Sequence, residues 1–310
     1  MAFHRFRRNH KHTVKKETFN KPDFIGIGPP KTGTTWIYRN LQQHPQVCFP
    51  LDKEIRYFWE KRYLGNYNMV SRLLSKHWHF LGKKHFYRQQ LKKHAADIIK
   101  GKLDKSQLRW DLRYFVGKRT NRWYSSLFHD AQVSGDISAK YCELPPSIIY
   151  NIKAAFPDLK IIITVRNPIE RDWSRAKMNL CMRTNRSADE VPIREFLHHI
   201  NDPLQKRSND YARLIESWRN VFGTERVLVL FYDELQDQPL TYFNQLCKFL
   251  GIQKASEDHS EKLKEVVFRG VEGDMPIELK ILLTKQHKNS IARLAKLLPK
   301  TVYPQLWLED

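Results

Sequence analysis

The sequence predicts an α/β protein in which helices cover both faces of a central parallel β-sheet. The prediction depends on three short apolar runs that are each followed by a helical pattern: FIGIG at 24–28, LKIIITVR at 159–166 and RVLVLFY at 226–232. Ligands of such sheets bind beyond the carboxyl ends of the strands. The loops after these runs are therefore where we expect a binding site.

The elements can be assigned in order along the chain. Glycines end the first strand, and the next residues have the apolar spacing of a helix that stops before a proline. The other predicted elements are a strand at Gln132–Asp136 and helices at Thr34–Gln43, Ile148–Phe156, from Ile169 towards Met178, Tyr211–Phe222, Tyr242–Leu250 and Ile291–Leu298. Without an internal repeat or long linker, residues 21–310 are predicted to form one domain. Residues 60–127 are predicted to be a helical, basic and aromatic insertion on the acceptor side.

Positive charge is concentrated in the first half of the chain. The formal net charge is +21; residues 21–130 contain 22 lysines and arginines against 8 acidic residues, whereas residues 131–310 contain 26 against 24. Such a field attracts phosphates, anionic polymers or a membrane surface. An evenly spread charge that serves only solubility is the alternative. Residues 1–20 are predicted to be a disordered basic tail and are a candidate for peripheral membrane contact.

The chain is expected to be cytoplasmic. No apolar run approaches the roughly 18 residues that cross a bilayer, and the basic N-terminus is not followed by the apolar segment of a secretory signal. The cysteines form no CxxC pair, which favours reduced and mostly buried thiols over a metal site or disulfide framework. They are Cys48, Cys142, Cys181 and Cys247.

The segment PKTGTTW at Pro30–Trp36, which we call the phosphate loop, predicts a site for a phosphorylated nucleotide. A strand that turns through glycine into a helix N-terminus directs free backbone N–H groups and the helix dipole at an anion. The loop is not a Walker A motif, because Thr34 follows Gly33 and Lys31 lies two places before that glycine. No acidic strand end is evident for Mg²⁺, which disfavours an ATPase or kinase.

The phosphate loop resembles the 5′-phosphosulfate loop of sulfotransferases that use 3′-phosphoadenosine 5′-phosphosulfate. A second motif of that family, a strand followed by R-x-P-x-x-R-x-x-S, is matched in full by Arg166–Ser174. Val227–Ile252 resembles a late strand–turn–helix block, so that the resemblance spans most of residues 22–252. It is strongest to the glycan (heparan-sulfate-type) branch, of which we expect a bacterial member. It implies a P-loop-like three-layer fold and a reaction without metal.

The resemblance also implies roles for individual residues. Lys31 would stabilise the charge that develops on the leaving phosphate, and Arg171 would support the loop. The residues that would bind the donor are Lys31, Thr32, Gly33, Thr34 and Thr35 at the 5′ end, Trp36 near the adenine, and Arg166 and Ser174 at the 3′-phosphate. Trp36 has the alternative of core packing.

The general base is predicted to be Glu54. The glycan branch has a glutamate in K-E-x-x-[FY]-F after the first helix, and this chain has Lys53-Glu54-Ile55-Arg56-Tyr57-Phe58. The small-molecule branch instead has a histidine after the middle strand, where this chain has none. A surface salt bridge of Glu54 is the alternative. Lys140 is a weak candidate for a second catalytic lysine, and Arg269 for a late phosphate contact.

These inferences predict a sulfotransferase acting on a hydroxyl or amine of a carbohydrate or polysaccharide, which could be anionic. We expect four tryptophans of the basic region, Trp59, Trp78, Trp110 and Trp123, to be platforms for such an acceptor. A small-molecule or lipid hydroxyl is the alternative acceptor. Two alternatives from other classes stay open, a nucleic-acid-binding protein and a nucleotide kinase. The sequence has no nucleic-acid recognition motif, so we do not expect nucleic acid to be a partner.

Overall fold

The computed structural model describes residues 21–64, 92, 96–97, 99–101, 105–128, 132–203, 208–265 and 270–309. Five parallel strands form one sheet in the order β2-β3-β1-β4-β5. The strands are β1 (Phe24–Gly28), β2 (Val47–Cys48), β3 (Val133–Ile137), β4 (Lys160–Val165) and β5 (Val227–Phe231). Since all are parallel, their carboxyl ends lie at one edge.

Helices follow each strand and cover both faces of the sheet. Those in the described part of the chain are α1 (Thr34–Gln42), α2 (Tyr57–Leu64), α3 (Lys105–Val116), α4 (Asn121–Ser125), α5 (Pro146–Ala155), α6 (Pro168–Lys177), α7 (Ile193–Ile200), α8 (Tyr211–Phe222), α9 (Tyr232–Asp237), α10 (Pro239–Leu250), α11 (Glu257–Lys262), α12 (Ile277–Leu297) and α13 (Tyr303–Glu309). A π-helical turn at Met178–Met182 extends α6.

Two hydrophobic clusters lie on opposite faces of the sheet. Alternation along β4 explains this: Ile161 and Ile163 belong to one cluster, and Ile162, between them, belongs to the other. The first cluster packs under α5, α8 and the C-terminal helices, and the second packs under α1 and α10. A third cluster joins α6 to α7 and α12. The sheet is thus buried on both faces, which confirms the predicted three-layer fold.

Most predicted elements are confirmed to within a few residues. Tyr211–Phe222 has the predicted bounds, whereas Ile291–Leu298 proves to be the end of the much longer α12. The sequence did not predict β2, whose two residues are too few for a periodic signal, or α7. Three of the four cysteines are buried, as expected, and all four are free thiols.

The described part of the basic insertion is mostly helical, with α2, α3 and α4 and a non-helical segment at residues 117–120. The prediction that four tryptophans of the basic region are acceptor platforms is wrong for three of them. Trp59, Trp110 and Trp123 are 2%, 3% and 6% exposed and belong to the main core. Aromatic rings bury a large apolar area, and these three rings bury it in the core rather than expose it to an acceptor. Trp78, the basic tail and Arg269 lie outside the described residues.

None of the helices described is both long enough and apolar enough to cross a membrane. The described residues also contain no group of three or more His, Cys, Asp or Glu side chains arranged to hold a metal ion.

Candidate active site

The phosphate loop joins the carboxyl end of β1 to the N-terminus of α1. Lys31 and Gly33 both have left-handed backbone conformations, with φ angles of 72° and 91°. A Cβ at Gly33 would be strained there and would lie 3.0 Å from the Cδ2 atom of Leu235. Within the described residues, no side chain caps α1, and its first turn contains no acidic residue. The positive end of the helix therefore faces the loop, as an anion site requires.

The threonines of the loop differ in their surroundings. Thr32 is fully buried; its hydroxyl donates to the Pro29 carbonyl oxygen over 2.6 Å and hydrogen-bonds to the hydroxyl of Thr164 on β4. This ties the loop to the neighbouring strand. Thr34 is also buried, whereas the half-buried Thr35 accepts a 2.7 Å hydrogen bond from the ammonium of Lys53.

Lys31 lies in a field of positive charge. Burial, together with the nearby positive charges of Arg166 and Lys177, lowers the pKa of its ammonium to about 8. These cations come from three places in the chain, namely the loop, the residue after β4, and the end of α6. Like charges are held close together only at a cost, which an anion between them would relieve.

The second predicted motif lies at the same edge of the sheet, because β4 pairs directly with β1. The Arg166 guanidinium lies 4.6 Å from the centroid of the Tyr232 ring, and its Nη2 atom is 3.5 Å from Oε2 of Glu170. Ser174 is half-buried one turn beyond Glu170 on α6. The structure thus brings Arg166 to Lys31 and places Ser174 on the helix that Arg166 precedes.

Arg171 supports the phosphate loop from below, which confirms its predicted role. Its side chain is fully buried, and its Nε atom donates to the Pro30 carbonyl oxygen over 3.0 Å. Its Nη1 atom donates to the side-chain oxygen of Asn209. The Asn209 amide nitrogen in turn lies 2.6 Å from the Asp172 carboxylate, which also contacts Nε2 of His287 over 2.9 Å. A buried polar network therefore links the loop to α6 and α12.

Trp36 is 7% exposed and packs edge-on against Tyr242 and Phe243. Its indole N–H donates to the Leu263 carbonyl oxygen over 3.2 Å. These contacts show that Trp36 packs in the core, which was the alternative left open by the sequence. An adenine contact stays a prediction.

Glu54 lies in a segment, Lys53–Arg56, that we call the base segment. Arg56 holds the Glu54 Oε2 atom with its Nε and Nη2 atoms, at 3.0 and 2.6 Å. The side chains of Glu54 and Arg56 are 23% and 26% exposed. Although burial acts to lower it, the pKa of Arg56 is raised by the Glu54 charge. The salt bridge that the sequence allowed as an alternative is thus present.

The base segment is anchored at both ends by polar contacts. Glu54 and Arg56 have φ angles of 59° and 58°, sparsely populated values for residues other than glycine. The Arg56 backbone N–H donates to the Ser138 hydroxyl over 3.1 Å, and that hydroxyl donates to the buried carboxylate of Asp136. Non-glycine residues in this conformation cluster at functional sites.

Lys140 is half-buried beside the core. Its ammonium lies 2.6 Å from Oε1 of the buried Glu143 and 5.5 Å from the centroid of the Trp59 ring. The Trp59 N–H donates to the other oxygen of the same carboxylate over 2.9 Å. Lys140 thus forms a structural salt bridge with Glu143. A catalytic role of Lys140 stays a prediction.

Two lysines near the loop were missed by the sequence as site residues. Lys53 is the first residue of the K-E-x-x-[FY]-F motif but was given no role of its own. Lys177 lies three positions after Ser174 and belongs to no motif. The signal that could have found Lys177 is its helical spacing, because residues 170, 174 and 177 share one face of α6.

A family model described as Sulfotransferase family matches residues 22–257. The chain belongs to the sulfotransferase family. This sulfotransferase resembles the curated carbohydrate sulfotransferase 15 of mouse (Mus musculus), with 25% identity over 272 residues that cover 76% of this chain and 45% of the mouse protein. The human (Homo sapiens) protein of that name is 23% identical over 273 residues, with the same shares. The chain therefore spans less than half the length of these relatives.

Among solved structures, a sulfotransferase from Alicyclobacillus acidocaldarius matches with a TM-score of 0.57. The match covers 93% of this chain and 98% of that one, at 22% identity. At that identity the likeness shows the fold, which agrees with the parallel five-stranded sheet of this sulfotransferase.

Proposed function

We propose that this chain transfers a sulfonate group from 3′-phosphoadenosine 5′-phosphosulfate to a hydroxyl or amine of a carbohydrate or polysaccharide. The observation that supports this most is the meeting of two motifs at one edge of the sheet, where the charge of Arg166 reaches Lys31. A nucleotide with phosphates at both its 3′ and 5′ positions has anionic groups for both motifs.

The residues present fit such a donor by their charge. The N-terminus of α1 faces the loop with no acidic residue in its first turn, and the cations of Lys31, Lys53, Arg166 and Lys177 surround the loop. Backbone N–H groups of Thr32 to Thr35 would hold the 5′-phosphate, and Arg166 with Ser174 would hold the 3′-phosphate. When bound, the donor supplies an activated sulfonate whose leaving group is a phosphate.

Lys31 would act on the leaving group. With a pKa of about 8, its ammonium is mostly protonated at neutral pH and partly desolvated. A desolvated charge near an oxygen on which negative charge develops stabilises the transition state more than the ground state. The left-handed turn at Lys31 and the Arg171 contact to Pro30 hold the backbone from which this ammonium extends.

Glu54 would accept the proton that the acceptor loses. The Arg56 fork fixes the carboxylate, and about a quarter of the Glu54 side chain is exposed to an incoming acceptor. A base must lie within hydrogen-bond reach of the proton that it removes. The contact between Lys53, its chain neighbour, and Thr35 keeps the base segment against the phosphate loop.

The carbohydrate acceptor is supported by two observations. The curated relatives are named carbohydrate sulfotransferases, and the basic first half of the chain suits an anionic sugar polymer. A cytoplasmic location, the absence of a metal requirement and a possible contact of the basic tail with membranes belong to the same proposal.

The test is transfer of ³⁵S from the labelled donor to a panel of glycosaminoglycans, neutral glycans and small hydroxyl compounds. We expect label in at least one glycan without added metal, and its loss in Lys31→Met but not in Lys160→Met. Lys160 is a matched control, because it is a half-buried lysine at the opposite end of the sheet, bonded to the Leu250 carbonyl oxygen over 3.1 Å. Label only in small hydroxyl compounds would contradict the glycan acceptor. Binding of nucleic acid, with no binding of the donor, would contradict the enzyme.

A further inference from the structure

Lys53 reaches from the base segment to the phosphate loop. Its ammonium donates to the Thr35 hydroxyl over 2.7 Å and lies 5.7 Å from the centroid of the Tyr38 ring. Thr35 is the second residue of α1, at the end of the helix that faces the predicted phosphate. A lysine ammonium has three N–H donors, so the contact with Thr35 leaves capacity for an anionic acceptor beside it.

The surroundings of Lys53 favour an anion. Burial lowers the pKa of its ammonium; the charge of Glu54 acts in the opposite direction, and those of Arg39 and Arg56 act with burial. Glu54 itself is held by two nitrogens of Arg56. An anionic oxygen interacts more strongly with a partly desolvated cation than with an exposed cation. Lys53, which is bonded to a neutral hydroxyl, is a partly desolvated cation of this kind.

The position of Lys53 relates it to the reacting sulfur. In a displacement at sulfur, the leaving oxygen and the attacking oxygen lie on opposite sides of the sulfonate. The predicted groups for these two oxygens are Lys31 in the phosphate loop and Glu54 in the base segment. Lys53 adjoins Glu54 in the chain, and its ammonium contacts Thr35 in the loop, so that it joins the segment of the predicted base to the loop that contains Lys31.

We propose that Lys53 is a second donor-contacting lysine whose ammonium binds the oxygens of the sulfonate during transfer. This inference rests on the proposed function. In that reaction the acceptor oxygen or nitrogen forms a bond to sulfur, the bond from sulfur to the phosphate oxygen breaks, and the acceptor proton passes to Glu54. The products are the sulfated acceptor and adenosine 3′,5′-bisphosphate. Lys53 forms no covalent bond and keeps its proton; it balances charge on the sulfonate oxygens.

A role at the sulfonate differs from a structural tie in what it does to two ligands. Adenosine 3′,5′-bisphosphate has the 5′-phosphate but no sulfonate. Calorimetric affinity for this product, and release of ³⁵S-sulfate from the labelled donor to water, would be measured for wild type, Lys53→Met, Lys53→Arg and the control Lys160→Met. Thermal unfolding without ligand would be measured for each variant.

We expect Lys53→Met to lower the rate of sulfate release about 10²- to 10³-fold, as removal of one preorganised charge donor does elsewhere. Its affinity for the bisphosphate should stay within about threefold of wild type. Lys53→Arg should recover part of the rate, and Lys160→Met should behave as wild type. Unchanged release by Lys53→Met would overturn the inference, and so would a parallel loss of bisphosphate affinity, which indicates a tie to Thr35. A wild-type protein that does not bind the bisphosphate would overturn the proposed function, and the inference with it.

Discussion

The phosphate loop and the base segment meet at the contact between Lys53 and Thr35, but they are held in different ways. The loop is held from the core: the buried Thr32 hydroxyl bonds to β4, and the buried Arg171 guanidinium bonds to Pro30. The base segment is anchored by the buried Ile55, but its functional side chain is held by a partly exposed pair, Glu54 with Arg56, whose backbones are both left-handed. The buried contacts of the loop are thus part of the stability of the fold, whereas the Glu54–Arg56 pair is a local contact at its surface.

This difference separates stability from activity. Substitution of Arg171, which supports the loop, should destabilise the protein. Substitution of Lys31 or Glu54 should lower activity with little effect on stability.

Arg171→Met should lower the free energy of unfolding by about 3–5 kcal/mol. It removes the positive charge beside the buried Asp172 carboxylate and breaks the hydrogen bond to the Pro30 carbonyl oxygen. Urea unfolding measures this as a fall in the midpoint. Arg226→Met is the matched control, since its partly exposed guanidinium contacts the exposed Asp158, and it should change stability by less than about 0.5 kcal/mol. If both variants unfold alike, the loop is not held from the core.

Lys31→Met should lower the rate of sulfonate transfer about 10²- to 10³-fold. Stability should not fall, because the substitution removes a partly desolvated ammonium beside two other cations. Steady-state transfer and urea unfolding, measured on the same preparation, check both statements. A fall in stability comparable to that of Arg171→Met would contradict the separation.

Glu54→Gln should reduce transfer roughly 100-fold, at the low end of what a general base contributes. Because the Glu54–Arg56 pair is partly exposed, stability should change by less than about 1 kcal/mol. Glu195→Gln, which breaks another partly exposed pair with Arg186, is the control and should leave transfer unchanged. Near-normal turnover of Glu54→Gln, with bisphosphate binding intact, would remove Glu54 as the base.

The pH profile of kcat/KM should fall above about pH 8, tenfold per unit, because transfer needs the protonated ammonium of Lys31 and its pKa is about 8 in the free protein. Lys177→Met removes a positive neighbour and so should raise the pKa of Lys31 and move this limb to higher pH. Lys177 is not among the charges that act on Lys53, so the shift distinguishes the two lysines. A limb that stays in place in Lys177→Met would exclude Lys31 as its origin.

The same difference explains what could be predicted from the sequence. The loop, β1 and β4 follow from local patterns: apolar runs, a glycine turn and a proline-flanked helix start. Contacts made by residues far apart in the chain could not be predicted, such as Lys53 with Thr35 or Lys177 near Lys31. The direction of large side chains also failed. Trp59, Trp110 and Trp123 were expected at the acceptor and lie in the core, because composition does not state which face a ring occupies.

We propose that the phosphate loop and Arg166 together bind a nucleotide that has phosphates at its 3′ and 5′ positions. The most direct measurement is calorimetric binding of adenosine 3′,5′-bisphosphate and adenosine 5′-monophosphate to wild type and Arg166→Met. We expect wild type to bind the bisphosphate more tightly, by at least about tenfold (about 1.4 kcal/mol), and Arg166→Met to bind the two nucleotides alike. Equal affinity of wild type for both nucleotides, or a preference that survives in Arg166→Met, would contradict this proposal.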